Sequence, residues 1–503
     1  MSSPERDEEG SRDEGGPRAG PVVPLYARLP HGPHRLGQEQ VVRHQRARIH
    51  GAMVEAVAEY GYAGTSVRQV VALAGVSRRS FYEQFANKEE CFLATYDVIA
   101  TRGLERIGAA HGACGGSLED RLRAGFNEFT QGLRENWKGG HLVIVDAQTA
   151  GPAGLARLRR TTAACERMLS SSFALEPEGG AVALPLVRAI VGGLHWIASL
   201  RLRKGDEREL PTLAEEMLDW TLLLRPGPPA PARARAADPV AAEPAAGEPA
   251  AGEPAAAGPA AVERAHEPVE AFGWASAAGD RERVLEQALR LALLGDYREL
   301  SAPQIADEAG VSLDVFLDMF AGRDECFLAA LDMLGADLRA LADDPGLRNG
   351  ESWPQAVRRV MAELMRHLGE HPLYAQTIAA GAFAAGPQAA ERARELMRGL
   401  TALLVAGAPQ PARSGIVVDA IVGAIGHTIR CRAADGQIEL LATASDDLAY
   451  VVLAPFLGAE AAAGIVSSDQ PLLALAGAAF GEIGEHDADE QRHADDDDER
   501  GFA

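Results

Sequence analysis

Residues 74–85 read AGVSRRSFYEQF and place two adjacent arginines, Arg78 and Arg79, directly after a glycine turn. A planar guanidinium can pair bidentately with guanine edges, so arginines at the start of a short helix are suited to reading bases. Ser77 and Ser80 add hydroxyls on either side, Tyr82 follows within a turn, and Lys88 stands six residues further on. Together they offer donors for bases and for backbone phosphates. The sequence shows no comparable set for catalysis. It has no glycine-rich phosphate loop, no G-x-S-x-G, no HExxH and no close Ser/His/Asp group, so no enzyme is expected. His486 and His493 lie among the acids of the tail, where solvated side chains are the simpler reading. No metal and no cofactor are expected.

The same shape is written a second time without the charge. Residues 309–320 read AGVSLDVFLDMF, at a constant offset of 235. At that offset Tyr62 matches Tyr297, Ser66 matches Ser301, Phe81 matches Phe316 and Phe85 matches Phe320. ECFLA at 90–94 recurs at 325–329, Gly151-Pro152 recurs as Gly386-Pro387, and at an offset of 231 AIVGG (189–193) matches AIVGA (420–424). The late copy differs at the positions that carry the chemistry. Arg78 becomes Leu313, Arg79 becomes Asp314, Ser80 becomes Val315 and Tyr82 becomes Leu317, while Arg323 stands at the Lys88 position. Residues 45–105 hold seven basic and seven acidic residues, against six and thirteen in residues 280–340. DNA affinity rests on neutralising phosphates, so the second copy is expected to have lost it.

Helices must position these groups. Each block opens with an apolar-periodic segment, Ile49, Met53, Val54, Val57 and Ala58 in one and Val284, Leu285, Ala288, Leu289 and Leu291 in the other. Gly61 and Gly295 are read as their stops. Thr65 and Ser301 are expected to cap a short second helix, Gly75 and Gly310 to supply a tight turn, Ser77 and Ser312 to cap a third, and Asn87 a fourth. Helix, tight turn and short helix form the helix-turn-helix pattern, whose second helix presents its N-terminal residues to the major groove. The composition agrees, with 47% hydrophobic and only 5% aromatic residues in 503. A net charge of −23 argues against sequence-blind nucleic-acid binding but leaves room for a local basic surface. Five scattered cysteines without a CxxC fit a reducing cytoplasm. No apolar stretch is read as a membrane span, and the acidic N-terminus is not a signal peptide.

Residues 61–92, GYAGTSVRQVVALAGVSRRSFYEQFANKEECF, resemble the DNA-binding domain of the TetR family of bacterial repressors. The match lies in G-[YF]-x-x-[TS]-[TS]-V, A-G-V-S and [FY]-Y-x-x-F-x-x-K-E, within about 60 residues from Arg46 to Arg106. Residues 28–37, RLPHGPHRLG, are similar to the arm of some actinobacterial members, where Arg28 and Arg35 would enter a minor groove. The resemblance implies an all-α fold of two tandem TetR-like units. Its expected parts are an arm (1–37), a helix-turn-helix domain (38–105), a ligand-binding and dimerisation domain (106–225), a Pro/Ala/Glu linker (226–271), a degenerate helix-turn-helix domain (272–340), a second regulatory domain (341–460) and an acidic tail (461–503).

Carried over residue by residue, the family's DNA contacts fall on Thr65, Ser77, Arg78, Arg79, Ser80, Tyr82 and Lys88, with Phe81 and Phe85 in the core. The implied function is a ligand-responsive, cytoplasmic repressor of double-stranded operator DNA, acting as a homodimer or an intrachain pseudo-dimer and without a membrane partner. Candidate residues for its small-molecule effector are Phe126, Phe129, Trp137, His141 and Trp196. Gly192-Gly193, just before His195-Trp196, would allow close helix approach at a subunit interface. A non-DNA-binding scaffold derived from such a regulator is the alternative.

Overall fold

A computed structural model describes residues 38–175, 182–205, 210–225, 279–294, 297, 299–342, 351–409 and 415–467. The arm with Arg28 and Arg35, the stop Gly295, the linker at 226–271 and the tail histidines His486 and His493 lie outside them. Among the described residues every regular element is a helix, as the composition implies. By density of contacts the described residues up to Thr95 form one compact unit, and those from Tyr96 onward another.

The first unit holds α1 (Gln38–Gly64), α2 (Val67–Ala74), α3 (Arg78–Tyr82) and the start of α4 (Lys88–Ala113). Of the apolar period of α1, Ile49, Met53, Val54 and Val57 are buried, while Ala58, at the edge of the stripe, is exposed. Val70, Phe81, Phe85 and Phe92 of the same unit are buried as well. Gly61 breaks α1 with φ 67° and ψ 167°, a conformation that a side chain would strain. The second-helix cap is Ser66 and not Thr65. Ser66 accepts from the Gln69 backbone N–H while Gln69 Oε1 accepts from the Ser66 N–H at 2.7 Å. Thr65 is buried, and its hydroxyl donates to the Gly61 carbonyl at 2.7 Å.

The second unit contains the rest of both blocks. After α4 come α5 (Leu118–Glu135), α6 (Trp137–Ile144), α7 (Gly151–Ala174), α8 (Leu184–Lys204) and α9 (Leu210–Leu223). The second block opens with α10 (Asp280–Leu294), α11 (Ala302–Ala309), α12 (Leu313–Met319) and α13 (Arg323–Ala342). It continues through α14 (Trp353–Glu370), α15 (Pro372–Gln376), α16 (Ala382–Ala384), α17 (Pro387–Val405), α18 (Gly415–Ala434), α19 (Ser445–Leu457) and α20 (Ala459–Ser467). The stretch Ile438–Leu457 is long and apolar enough to cross a membrane, although no apolar stretch is expected to. Half of it is buried within the unit, with Leu448 and Tyr450 to Ala454 of α19 in the core.

The centre of this unit is a four-helix layer of α8, α9, α18 and α19. Helix α8 of the first block crosses α18 of the second at two glycines. A Cβ on Gly423 would fall 2.5 Å from the Gly192 carbonyl oxygen and closer still to Trp196 Cβ. Reciprocally, a Cβ on Gly192 would fall 2.7 Å from the Gly423 carbonyl oxygen and closer still to His427 Cβ. At the offset of 231 Gly192 corresponds to Gly423 and Trp196 to His427. The contact is therefore self-reciprocal, the arrangement of a twofold interface, here made between two parts of one chain. Gly193 makes room for the Trp220 indole of α9, whose N–H donates to the Ile190 carbonyl at 3.1 Å.

Candidate nucleic-acid interface

The turn between α2 and α3 is built from three local features. Gly75 adopts φ 59°, the left-handed region that ends α2 and favours glycine. Ser77 caps α3 by accepting from the Ser80 backbone N–H at 3.0 Å. From α1, Arg48 reaches across and donates to the carbonyls of Ala74 and Gly75, the latter at 3.0 Å. Arg48 was missed in the sequence because nothing marks a structural arginine until its carbonyl partners are folded against it. Phe81 and Phe85 then anchor α3 from below, fully buried, with Arg46 stacked 4.6 Å from the Phe85 ring centroid.

The outer face of α3 carries the expected groups. Ser77, Arg78 and Arg79 are exposed, and Ser80 is half-buried. Tyr82 is 56% exposed, which removes it from the core. Arg79 pairs with Glu83 at 2.9 Å, an exposed i,i+4 contact that adds little stability and leaves the guanidinium accessible. Lys88 is committed differently. Its ammonium donates to the Tyr62 carbonyl at 3.0 Å and lies 4.4 Å from the Tyr62 ring centroid, which ties α4 to the end of α1. Of the seven proposed contacts, the structure gathers Ser77, Arg78, Arg79, Ser80 and Tyr82 on one short face. Thr65 is buried beneath the α2 start, and Lys88 is half-buried at the α4 start.

The second helix-turn-helix segment has the same framework. Gly310 adopts φ 69°, Ser312 caps α12, and Ser301 with Gln304 forms the α11 capping box. Phe316 and Phe320 are buried, and Arg281 stacks 4.8 Å from the Phe320 ring centroid. Arg323 donates to the carbonyls of Tyr297 at 2.9 Å and Leu300 at 2.8 Å and lies over the Tyr297 ring. The cation kept at the Lys88 position thus has a framework role in this segment. The outer face of α12 presents Leu313, Val315 and Leu317, each at least 39% exposed, with Asp314 and Asp318 beside them.

The effector candidates of the first block differ in their surroundings. Trp196 is buried at the α8–α18 crossing, and His141 Nδ1 is bonded to Asp146 at 2.7 Å. Phe126, Phe129 and Trp137 are half-buried on α5 and α6. A small apolar cavity lies instead in the second block, between α13, α14, α17 and α18. Met361, Met365, Met397, Leu400, Ile425 and Thr401 are among its lining residues. The buried Thr401 hydroxyl has no hydrogen-bond partner there.

A buried polar knot joins the blocks beside the glycine crossing. His427 Nε2 of α18 is 3.0 Å from Glu166 Oε1 of α7, and the Cys431 thiol is 3.4 Å from the same imidazole nitrogen. Arg159 donates to Glu166 at 3.0 Å, and Arg188 lies 3.6 Å from its other oxygen. Burial pushes His427 down to about 4 and Cys431 up to about 11. Burial also works to raise Glu166, but His427, Arg159 and Arg188 outweigh it and hold the carboxyl below its ordinary range. The Glu166, His427 and Cys431 donor atoms lie within 4.8 Å of one another. Two guanidiniums already neutralise the carboxylate, so the set fits an ionic lock rather than a cation site.

Comparison with known proteins places the first helix-turn-helix. Residues 51–95 match the family model described as bacterial regulatory proteins, tetR family. No curated protein matches the chain. Among solved structures, the chain is similar to the fatty acid degradation regulator FadR from Bacillus halodurans, with 17% identity and a TM-score of 0.32 over 35% of this chain and 94% of that one. It is also similar to FadR from Bacillus subtilis in complex with stearoyl-CoA, with 16% identity and a TM-score of 0.32 over 34% of this chain and 95% of that one. A third is a TetR-like transcriptional regulator from Rhodococcus sp. RHA1, with 20% identity and a TM-score of 0.32 over 39% of this chain and 98% of that one.

Proposed function

We propose that this chain, a TetR-family regulator by its residues 51–95, represses transcription by reading operator DNA with α3 alone, while its second block serves pairing and regulation. The observation that carries this reading is one framework with two different faces. The α3 face offers Arg78, Arg79 and Tyr82 to solvent, and the α12 face offers Leu313, Asp314 and Leu317. Ser77 and Ser80 would add contacts at the α3 start, and Thr65 would act by holding the α2 start in place. Lys88 would reach a phosphate only from its seat on the Tyr62 carbonyl.

One basic recognition helix per chain has a consequence for the operator. A palindrome with half-sites about 34 Å apart would take two chains, each supplying one α3. The α8–α18 crossing supports an intrachain pseudo-dimer as the unit that binds. Regulation by a small molecule would act on the second unit, where the cavity between α13 and α18 suits an apolar effector. Met361, Met365 and Met397 can yield to enlarge it. A cytoplasmic, non-enzymatic protein fits this reading.

The experiment is a mobility-shift titration on the DNA upstream of the protein's own coding region, comparing wild type with Arg78→Ala/Arg79→Ala. A good bidentate arginine–guanine pair is worth about 1–3 kcal/mol, so loss of both is expected to weaken binding by roughly 30-fold or more. Wild-type affinity should fall with salt, and more steeply than that of the variant. No binding by wild type at low salt would sink the proposal and favour the scaffold reading. Binding unaffected by the double substitution would remove α3 as the reading head.

A further inference from the structure

The crossing of α8 and α18 keeps its glycines on both sides but not its charges. At the offset of 231, Arg188 at the start of α8 corresponds to Asp419 at the start of α18. Lys204 at the end of α8 corresponds to Asp435, just past the end of α18. The start of one helix lies against the end of the other. Arg188 meets Asp435 at 3.2 Å, with the arginine side chain 18% exposed. At the opposite end the half-buried Asp419 lies in the field of Arg398 of α17 and of the exposed Lys204, while Arg201 is paired with Glu216 at 2.6 Å.

Both ends are therefore complementary, and both depend on the blocks being different. If two α8 helices crossed in the same way, Arg188 would face Lys204 at each end. If two α18 helices did so, Asp419 would face Asp435 at each end. The polar knot follows the same logic. Glu166 corresponds at the offset of 235 to Thr401, and His427 corresponds at 231 to Trp196. A pair of first blocks would set Glu166 against Trp196 and deprive it of its imidazole. A pair of second blocks would set His427 against Thr401. The glycines, which serve either pairing, are retained; the groups that distinguish the pairings have diverged in a complementary sense.

We infer that the α8–α18 surface accepts only a first block against a second block and rejects two like blocks, so that chains of this protein do not join through α8 to α8. Complementary pairs give the attractive half of this specificity, and like charges at both ends of each wrong pairing give the repulsive half. The inference does not rest on DNA binding. It makes the pseudo-dimer the default state, and it requires any second chain on an operator to arrive by a route other than this bundle.

The full chain tests it. Size exclusion with light scattering gives the mass. Photoactivatable leucine in an equal mixture of isotopically light and heavy chain maps which helices meet, since Leu186, Leu194 and Leu202 line α8. Wild type is expected at the one-copy mass of 53.1 kDa, with cross-links from α8 to α18. Links from α8 of one chain to α18 of another, as in an exchanged pair, agree equally. Lys204→Asp makes two α8 helices complementary and sets like charges at the Asp419 end. It is expected to raise the two-copy fraction at least tenfold at micromolar concentration, with light-to-heavy links between α8 helices. Adding Asp419→Lys restores opposite charges at that end of the α8–α18 pair, so the intrachain contact should regain its lead and the two-copy fraction should fall. If Lys204→Asp unfolds instead, recovery of the fold by Asp419→Lys supports the pairing, and failure to recover overturns it. Light-to-heavy α8–α8 links in wild type, or a Lys204→Asp variant with unchanged mass and links, would also overturn it.

Discussion

Replacing Gly423 by alanine sets two physical effects against each other at the α8–α18 crossing. In the interior of an exposed helix, alanine is favoured over glycine by about 1 kcal/mol, so the substitution alone should stabilise. At this crossing the new Cβ would stand 2.5 Å from the Gly192 carbonyl oxygen, a backbone atom that cannot rotate away. It would also collide with Trp196 Cβ, the stiff end of a buried side chain. Relief requires the two helices to separate. Overpacking of this kind costs about 1–3 kcal/mol, and a clash limited by backbone belongs at the upper end. The net expectation is a loss of about 1–2 kcal/mol, or roughly 2–8 °C in the unfolding midpoint at about 2–4 °C per kcal/mol. Gly399 of α17 supplies the control, because a Cβ there meets nothing within 4 Å, and Gly399→Ala should leave the midpoint unchanged or raise it. Far-UV circular dichroism gives the midpoint, and tryptophan fluorescence reports whether Trp196 has moved. If Gly423→Ala proves as stable as Gly399→Ala, the helices are not in backbone contact there, and the reciprocal crossing falls with it.

Two further expectations concern the first unit. Burial, with Arg46 nearby, lowers His50 to about 4, and its Nδ1 is 2.8 Å from the Thr95 hydroxyl. The unfolded chain therefore binds a proton that the folded unit refuses. Its stability should hold above pH 6.5 and decline by up to roughly 3 kcal/mol as pH falls toward 4. His50→Leu/Thr95→Ala, the pair present at Leu285 and Ala330, should flatten that decline in thermal melts at stepped pH. Tyr82→Ala should weaken operator binding in mobility shifts and move the melting midpoint little, because its ring is 56% exposed. Phe81→Ala, at a fully buried position, should cost about 3–5 kcal/mol and abolish binding by unfolding the segment.

The frame of both helix-turn-helix segments was legible in the sequence because it is made of local rules. Glycines with positive φ, serine caps and a 3.6-residue apolar period act within a few residues, and among the described residues most fell where those rules put them, apart from the one-residue slip from Thr65 to Ser66, the exposed Ala58 and the half-buried Leu291. Exposure of Arg78, Arg79 and Tyr82 was legible for the same reason, once Phe81 and Phe85 fixed which side of α3 faces inward. What Trp196 packs against was not legible. An aromatic on an amphipathic helix looks the same whether it lines a cavity, fills a core or meets a neighbouring helix. Trp196 turned out to do the last, and its role depends on Gly423, 227 positions away, which no local pattern can supply.

The two copies of one framework separate structural from functional residues more sharply than either does alone. A residue kept in a copy whose face has become acidic and apolar is being kept for the fold. Gly310, Ser312, Phe316 and Phe320 pass that test and vindicate their partners as framework. Arg323 passes it too, by holding the Tyr297 and Leu300 carbonyls. Its counterpart Lys88, seated on the Tyr62 carbonyl, is then a strut between α1 and α4. Arg281 and Arg283 extend the argument, since they retain the ring-stacking and turn-facing positions of Arg46 and Arg48. Basic charge conserved between the copies thus belongs to the frame. The charge that differs, at Arg78 and Arg79 and at Arg188 and Lys204, is not needed by the frame, which leaves those residues to the proposed reading of DNA and the proposed discrimination between blocks.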